Sequence, residues 1–162
     1  MSQIGNYTEI DHLAIAVSSL EESICFYTEK LNFKLKCIRE IEGTYTGMRS
    51  AELTSAGNFS IVLVESTHPE SQVQMFVDKH NYGVQHVAFK VDNIESEREK
   101  LIEAGVDFST DIIEGPGVKQ MFTRREETSG MMYEFIQRTE QEGFLEDNIQ
   151  NLFNQLEENG AY

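Results

Sequence analysis

Apolar and polar positions alternate along Asp11-His12-Leu13-Ala14-Ile15-Ala16-Val17 and then give way to a helical period. Successive side chains of a strand point to opposite faces, so His12, Ala14 and Ala16 share one face while Leu13, Ile15 and Val17 share the other. Ser18-Ser19 supplies a helix start, after which Leu20, Ile24, Tyr27 and Leu31 recur at helical spacing. Lys34–Ile41, Tyr45–Thr54 and Phe59–Val64 read as three further strands, broken by Gly43 and by Ala56-Gly57-Asn58. A polar connection follows, with a short helix predicted over Gln72–Asp78.

The same order then recurs. Gln85-His86-Val87-Ala88-Phe89-Lys90-Val91 repeats the first strand, histidine included, and Asp92-Asn93 repeats the helix start. A helix over Ile94–Ala104 should stop at Gly105, with strands following near Asp107–Ile113, Val118–Arg124 and Met131–Arg138. Leu145, Ile149, Leu152, Phe153 and Leu156 mark an amphipathic C-terminal helix over about 145–159. The expected fold is α+β, with two β-α-β-β-β modules (about 8–65 and 83–139) in one open, barrel-like sheet of eight strands. The whole chain, 1–162, reads as a single domain with the C-terminal helix added to it.

Bulk properties narrow the partners. The 162 residues are 40% hydrophobic and 25% charged, ordinary for a globular domain, and carry a formal net charge of −15. That charge argues against nucleic acid or an anionic membrane as partner, but not against a small anionic substrate held at a metal. No run of about twenty apolar residues and no signal-peptide pattern occurs, so a cytoplasmic location is expected. Cys25 and Cys37 form no CxxC pair and read as packed, reduced thiols.

Glu134 changes the picture. It interrupts the apolar strand Met131-Met132-Tyr133-Glu134-Phe135-Ile136, and a buried carboxylate demands a cation, hydrogen bonds or a proton. Two strand histidines with one strand carboxylate make the ligand set of a two-His-one-carboxylate centre, so His12, His86 and Glu134 are the candidate ligands. The first-module counterpart of Glu134 is expected at Val62, which cannot ligate and leaves positions open. His68 and His80 fall in the polar connection and read as solvated loop residues.

These residues resemble the vicinal-oxygen-chelate superfamily, and within it the catalytic half of the 4-hydroxyphenylpyruvate dioxygenase family. Gly83-Val84-Gln85-His86-Val87-Ala88, Gln120-Met121-Phe122-Thr123 and Tyr133-Glu134-Phe135-Ile136-Gln137-Arg138 carry the resemblance. Weaker support comes from Gly143-Phe144, Asn148, Leu152-Phe153, Thr46–Ser50 and Ser71–Gln74. The resemblance implies Fe(II) at His12, His86 and Glu134, with dioxygen and a small 2-oxo acid as reactants. It places Gln72, Gln85 and Gln120 as polar catalytic groups and Ser50, Phe122, Phe144 and Asn148 against substrate.

The departures point elsewhere for the substrate's side chain. The family's N-terminal domain and its insertion before the Gln-Ile-Phe-Thr strand have no counterpart here, so a stand-alone domain is expected. An Asn-Glu-Pro motif has become Val64-Glu65-Ser66, and two aromatic positions are Met132 and Ile149. Manganese, cobalt or zinc would suit the same ligands, and a homodimer is compatible with the sequence. A metal-dependent isomerase or lyase of the methylmalonyl-CoA epimerase or glyoxalase type, and a non-enzymatic small-molecule binding protein, are the competing readings.

Overall fold

The computed structural model describes residues 4–115, 117–139 and 146–159. Its elements are β1 (Ile10–Ala16), α1 (Leu20–Cys25), β2 (Lys34–Glu42), β3 (Gly47–Thr54), β4 (Ser60–Ser66), α2 (Gln72–His80), β5 (Gly83–Lys90), α3 (Ile94–Glu103), β6 (Ile113–Gly115), β7 (Val118–Phe122), β8 (Met132–Arg138) and α4 (Glu146–Glu158). The eight strands form one curled sheet, a half-barrel, in the order β2-β3-β4-β1-β5-β8-β7-β6. Read from its centre outward, that order is the same in both halves: first strand, fourth, third, second. The two first strands meet antiparallel at the middle, which places His12 opposite Ala88 and Ala14 opposite His86.

The duplication extends to helix starts. Ser19 and Asn93 each accept from the amide three residues on, at 3.3 and 2.8 Å. The first amide of each helix is satisfied from a strand end: Leu20 N–H by Glu65 and Ile94 N–H by Gln137, both at 2.9 Å. Glu65, the remnant of the altered Asn-Glu-Pro stretch, is thus a helix cap. Gly105 ends α3 at φ +88°, where the Val106 amide reaches Leu101 O and the Gly105 amide reaches Ile102 O, both at 2.9 Å.

α1 and α3 cover the convex face of the sheet. Leu20 packs with Leu13, Ile15, Leu53 and Leu63, and Ile94 with Met121, Phe135 and Phe89. The concave face keeps His12, Ala14, Ala16 and Ala88, all nearly or fully buried. One end of that face is closed by α2, whose Val73 and Phe76 join Ala16, Met48 and Val64. α4 adds Leu156 against Phe122 and Met132. Among the described residues, no helix is long and apolar enough to cross a membrane.

Four expectations need correction. The strand predicted over Asp107–Ile113 shrinks to Ile113–Gly115 and one bridge from Phe108 to Thr123. Side chains interrupt the ladder there: Thr110 Oγ1 accepts from Phe122 N–H at 3.0 Å and Ser109 Oγ donates to Thr123 O at 3.1 Å, beside remaining backbone bonds from Ser109 N–H to Phe122 O and from Arg124 N–H to Asp107 O. The strand predicted from Tyr45 begins at Gly47, because the amides of Thr44, Tyr45 and Thr46 turn toward Glu157 of α4. The first helix passes into a π-turn over Phe26–Lys30, whose extra residue swings Leu31 out to 47% exposure. Cys25 is exposed rather than packed, and Cys37 is half-buried; both thiols are free.

Candidate metal centre

Three side chains converge on the concave face. His12 Nε2 lies 3.0 Å from Glu134 Oε2, His86 Nε2 lies 3.5 Å from the same oxygen, and the two Nε2 atoms are 3.3 Å apart. Cis ligands about 2.1 Å from a divalent metal sit roughly 3.0 Å from one another, so the triangle has the size of one face of a coordination shell. His12 and Glu134 are almost wholly buried, and Glu134 Oε1 has no hydrogen-bond partner. A buried carboxylate oxygen left this way calls for a cation. The residues therefore fit a divalent metal.

The strands explain why these three meet. β1 and β5 are neighbours, β5 runs parallel to β8, and Ala88, two residues beyond His86, lies beside Glu134. In the first half Ala14, two residues beyond His12, lies beside Val62. Val62 is thus the counterpart of Glu134, as expected, and it lines the same cavity. Ala14 and Ala88 add no bulk to the floor between the histidines.

Each histidine is held from behind by the residue before it. The β1–β5 pairing slips at Asp11 and again at Gln85, so both are bulge residues. Strict alternation would turn Asp11 and Gln85 away from the histidines; the bulges turn them back. His12 Nδ1 donates to Asp11 at 2.9 Å, and His86 Nδ1 to Gln85 Oε1 at 2.8 Å. Both rings thereby present Nε2 to the centre. Asp11 also takes a two-pronged contact from Arg138, at 2.6 and 2.8 Å.

Protonation follows from these contacts. Burial alone would lower His12, but the Glu134 carboxylate and Asp11 outweigh it and push the ring up to about 9. Burial keeps His86 below the ordinary range. Burial works to raise Glu134 and Asp11 as well, yet His12 holds Glu134 down and Arg138 with His12 holds Asp11 far below the usual carboxylate range.

The other expected residues divide. Ser50, Gln120 and Phe122 line the triad's cavity, which holds about 60 Å³ of space. Gln120 is buried with neither amide atom hydrogen-bonded. Gln72 and Gln85 line an adjoining recess with His86, Phe122 and Leu156, and Gln72 Oε1 lacks a partner. The Phe122 ring stands edge-on to His86, centroids 5.3 Å apart. Asn148 falls on α4, with its side chain outside the described residues, as is Phe144 altogether. His80 ends α2 instead of lying in a loop and packs on Phe76; neither it nor His68 joins the metal group.

Residue-by-residue reading missed Asp11 and Arg138. A polar residue before each histidine was a visible signal for the first. The second required the sheet's register.

Comparison with known proteins agrees with this geometry. A family profile for the glyoxalase/bleomycin resistance protein/dioxygenase superfamily matches residues 9–135, and the chain belongs to that superfamily. It is 30% identical to 4-hydroxyphenylpyruvate dioxygenase of Pseudomonas aeruginosa, over 93% of this chain and 52% of that protein. A 4-hydroxymandelate synthase mutant from Streptomyces coelicolor superposes with a TM-score of 0.80 at 25% identity, covering 99% of this chain and 56% of that one. Methylmalonyl-CoA epimerase from Mycobacterium tuberculosis shares the fold, with a TM-score of 0.70 at 24% identity over 86% and 94% of the two chains. The chain spans about half the length of the curated relatives it matches.

Proposed function

We propose that this protein is a non-haem Fe(II) dioxygenase that oxidatively decarboxylates and hydroxylates a small 2-oxo acid. The observation that carries the reading is the equivalence of Val62 and Glu134: a four-ligand site is built for by symmetry, and one position is apolar. His12, His86 and Glu134 would hold the iron, leaving coordination sites for a chelating substrate and dioxygen. Bound there, iron would supply the Lewis acidity and the redox chemistry.

The chain's own residues do the rest. Asp11 and Gln85 fix both imidazoles with Nε2 inward, so little reorganisation is needed on binding. The unpartnered Gln120 amide offers one donor group and one acceptor to a polar substrate atom. Phe122, Met132 and Leu156 form an apolar flank that sheds water. The isomerase reading asks for a further ligating or basic side chain where this sheet places Val62.

The test is anaerobic titration of the protein with Fe(II) and a panel of aryl and alkyl 2-oxo acids, followed by admission of oxygen. A metal-to-ligand charge-transfer band, then oxygen uptake with matching CO2 release, is expected for one class of acid. Silence across the panel overturns the proposal. Solvent deuterium appearing at a substrate α-carbon without oxygen establishes the isomerase instead.

A further inference from the structure

The metal cavity and the recess beside it are small. The cavity holds about 60 Å³ and the recess about 30 Å³, and Met48, Val64, His86 and Phe122 border both. An apolar cavity that takes up a benzene ring measures roughly 150 Å³. Neither space approaches that size, and a metal with the substrate atoms chelated to it must fill part of the first. The room that is left suits a few methyl-sized groups.

Two packed clusters close the recess. Met48 on β3 and Val64 on β4 pack with Val73 of α2, and Phe122 on β7 and Met132 on β8 pack with Leu156 of α4; all six are buried. Both helices are fastened close to these contacts. Ser71 caps α2 by accepting from the Gln74 amide at 3.1 Å. Glu157, next to Leu156, accepts from the amides of Thr44, Tyr45 and Thr46. Widening the recess therefore means breaking a cap or a core contact. Ser50 and Gln120 border the cavity but not the recess, so an apolar substituent finds its apolar surround in the recess.

We propose that this recess is the side-chain pocket and that it restricts the substrate to short aliphatic 2-oxo acids, with Leu156 and Met132 setting the limit. This rests on the dioxygenase reading, which accounts for the carboxylate and keto oxygen at the metal. An ethyl or isopropyl group is within the room available. A phenyl ring has to push Leu156 or Met132 out of its cluster, with the penalty of an overpacked core.

The experiment is anaerobic titration of Fe(II)-loaded protein with 3-methyl-2-oxobutanoate and with phenylpyruvate, followed by the charge-transfer band. The alkyl acid should bind at least about tenfold tighter, the scale on which pocket size discriminates. Leu156→Ala should close that gap by strengthening phenylpyruvate, because truncating a buried leucine can open a space that accepts benzene. A second readout needs no iron: benzene should raise the Tm of metal-free Leu156→Ala and leave that of the unaltered protein where it was. Phenylpyruvate binding as tightly as the alkyl acid, or benzene stabilising the unaltered protein, overturns the inference and leaves the iron reading intact. A gap that Leu156→Ala leaves unchanged also overturns it. A band with neither acid overturns the dioxygenase reading and the inference together. Should Leu156→Ala not fold, judged by its melting curve, Met132→Ala makes the same comparison.

Discussion

Asp11 stands to His12 as a rear support: a bulge brings its carboxylate within 2.9 Å of Nδ1, and Arg138 grips that carboxylate from the other side. Asp11→Asn keeps the shape but removes the charge. Metal affinity is expected to fall about 10- to 100-fold, the usual cost of losing a partner behind a ligand. Competition with a chelator of known affinity measures it. An unchanged affinity would show that the His12 ring is fixed by packing alone.

Metal removal should destabilise the fold. A metal at a hundred times its Kd adds about 2.7 kcal/mol, which for a chain of this size raises Tm by roughly 5–10 °C. Differential scanning calorimetry with and without chelator reads the shift. Glu134→Ala should abolish it, and a shift that survives in that variant would place the metal elsewhere.

Val62→Glu supplies the missing carboxylate. Without metal, a second buried acid among His12, His86 and Glu134 should lower Tm, since an unpaired buried charge costs several kcal/mol. Divalent metal should restore it and bind more tightly than in the parent. Oxygen uptake should drop to background, because a coordination position has been closed. A variant that keeps its oxygen chemistry would count against the reading of Val62 as an open position.

Glu157 fastens α4 to the β2–β3 turn. It accepts from the amides of Thr44, Tyr45 and Thr46 and from the Thr46 hydroxyl at 2.7–3.4 Å. Glu157→Ala leaves these donors to water and should cost about 2–3 kcal/mol. Limited proteolysis should then release α4 faster than in the parent. An unchanged susceptibility and an unchanged Tm would mean that contacts such as Leu156 packing and the Gln150, Gln155 and Asn159 hydrogen bonds hold the helix without Glu157.

Acid stability should carry a signature of Glu126. Its carboxylate accepts from the amides and hydroxyls of Thr128 and Ser129, which holds it down at about 2 against an ordinary 4.5. A depressed acid stabilises the fold fully above its unfolded pKa and loses that contribution as pH falls through the folded one. The difference in urea midpoint between the parent and Glu126→Gln should therefore shrink from pH 4.5 toward pH 2. A difference that is flat across that window contradicts the assignment.

The repeat, the grouping of His12, His86 and Glu134, and the equivalence of Val62 with Glu134 were legible in the sequence because each depends on strand parity and on equivalence between modules. Gln85 was a candidate by resemblance alone, since alternation would have turned it from His86. Only the bulge explains its position, and bulges leave no periodic trace. The π-turn that swings Leu31 outward and the side-chain bonds that interrupt the Asp107–Ile113 strand are likewise local exceptions to a period.

A two-fold arrangement that is occupied on one side only has a handedness. The carboxylate comes from β8, and its counterpart on β4 is the apolar Val62. Under the proposed chemistry, a substrate held at the metal would meet a carboxylate wall on one side and an apolar wall on the other. The placement of one acid, in a sheet that offered two places for it, would then set which prochiral face is presented.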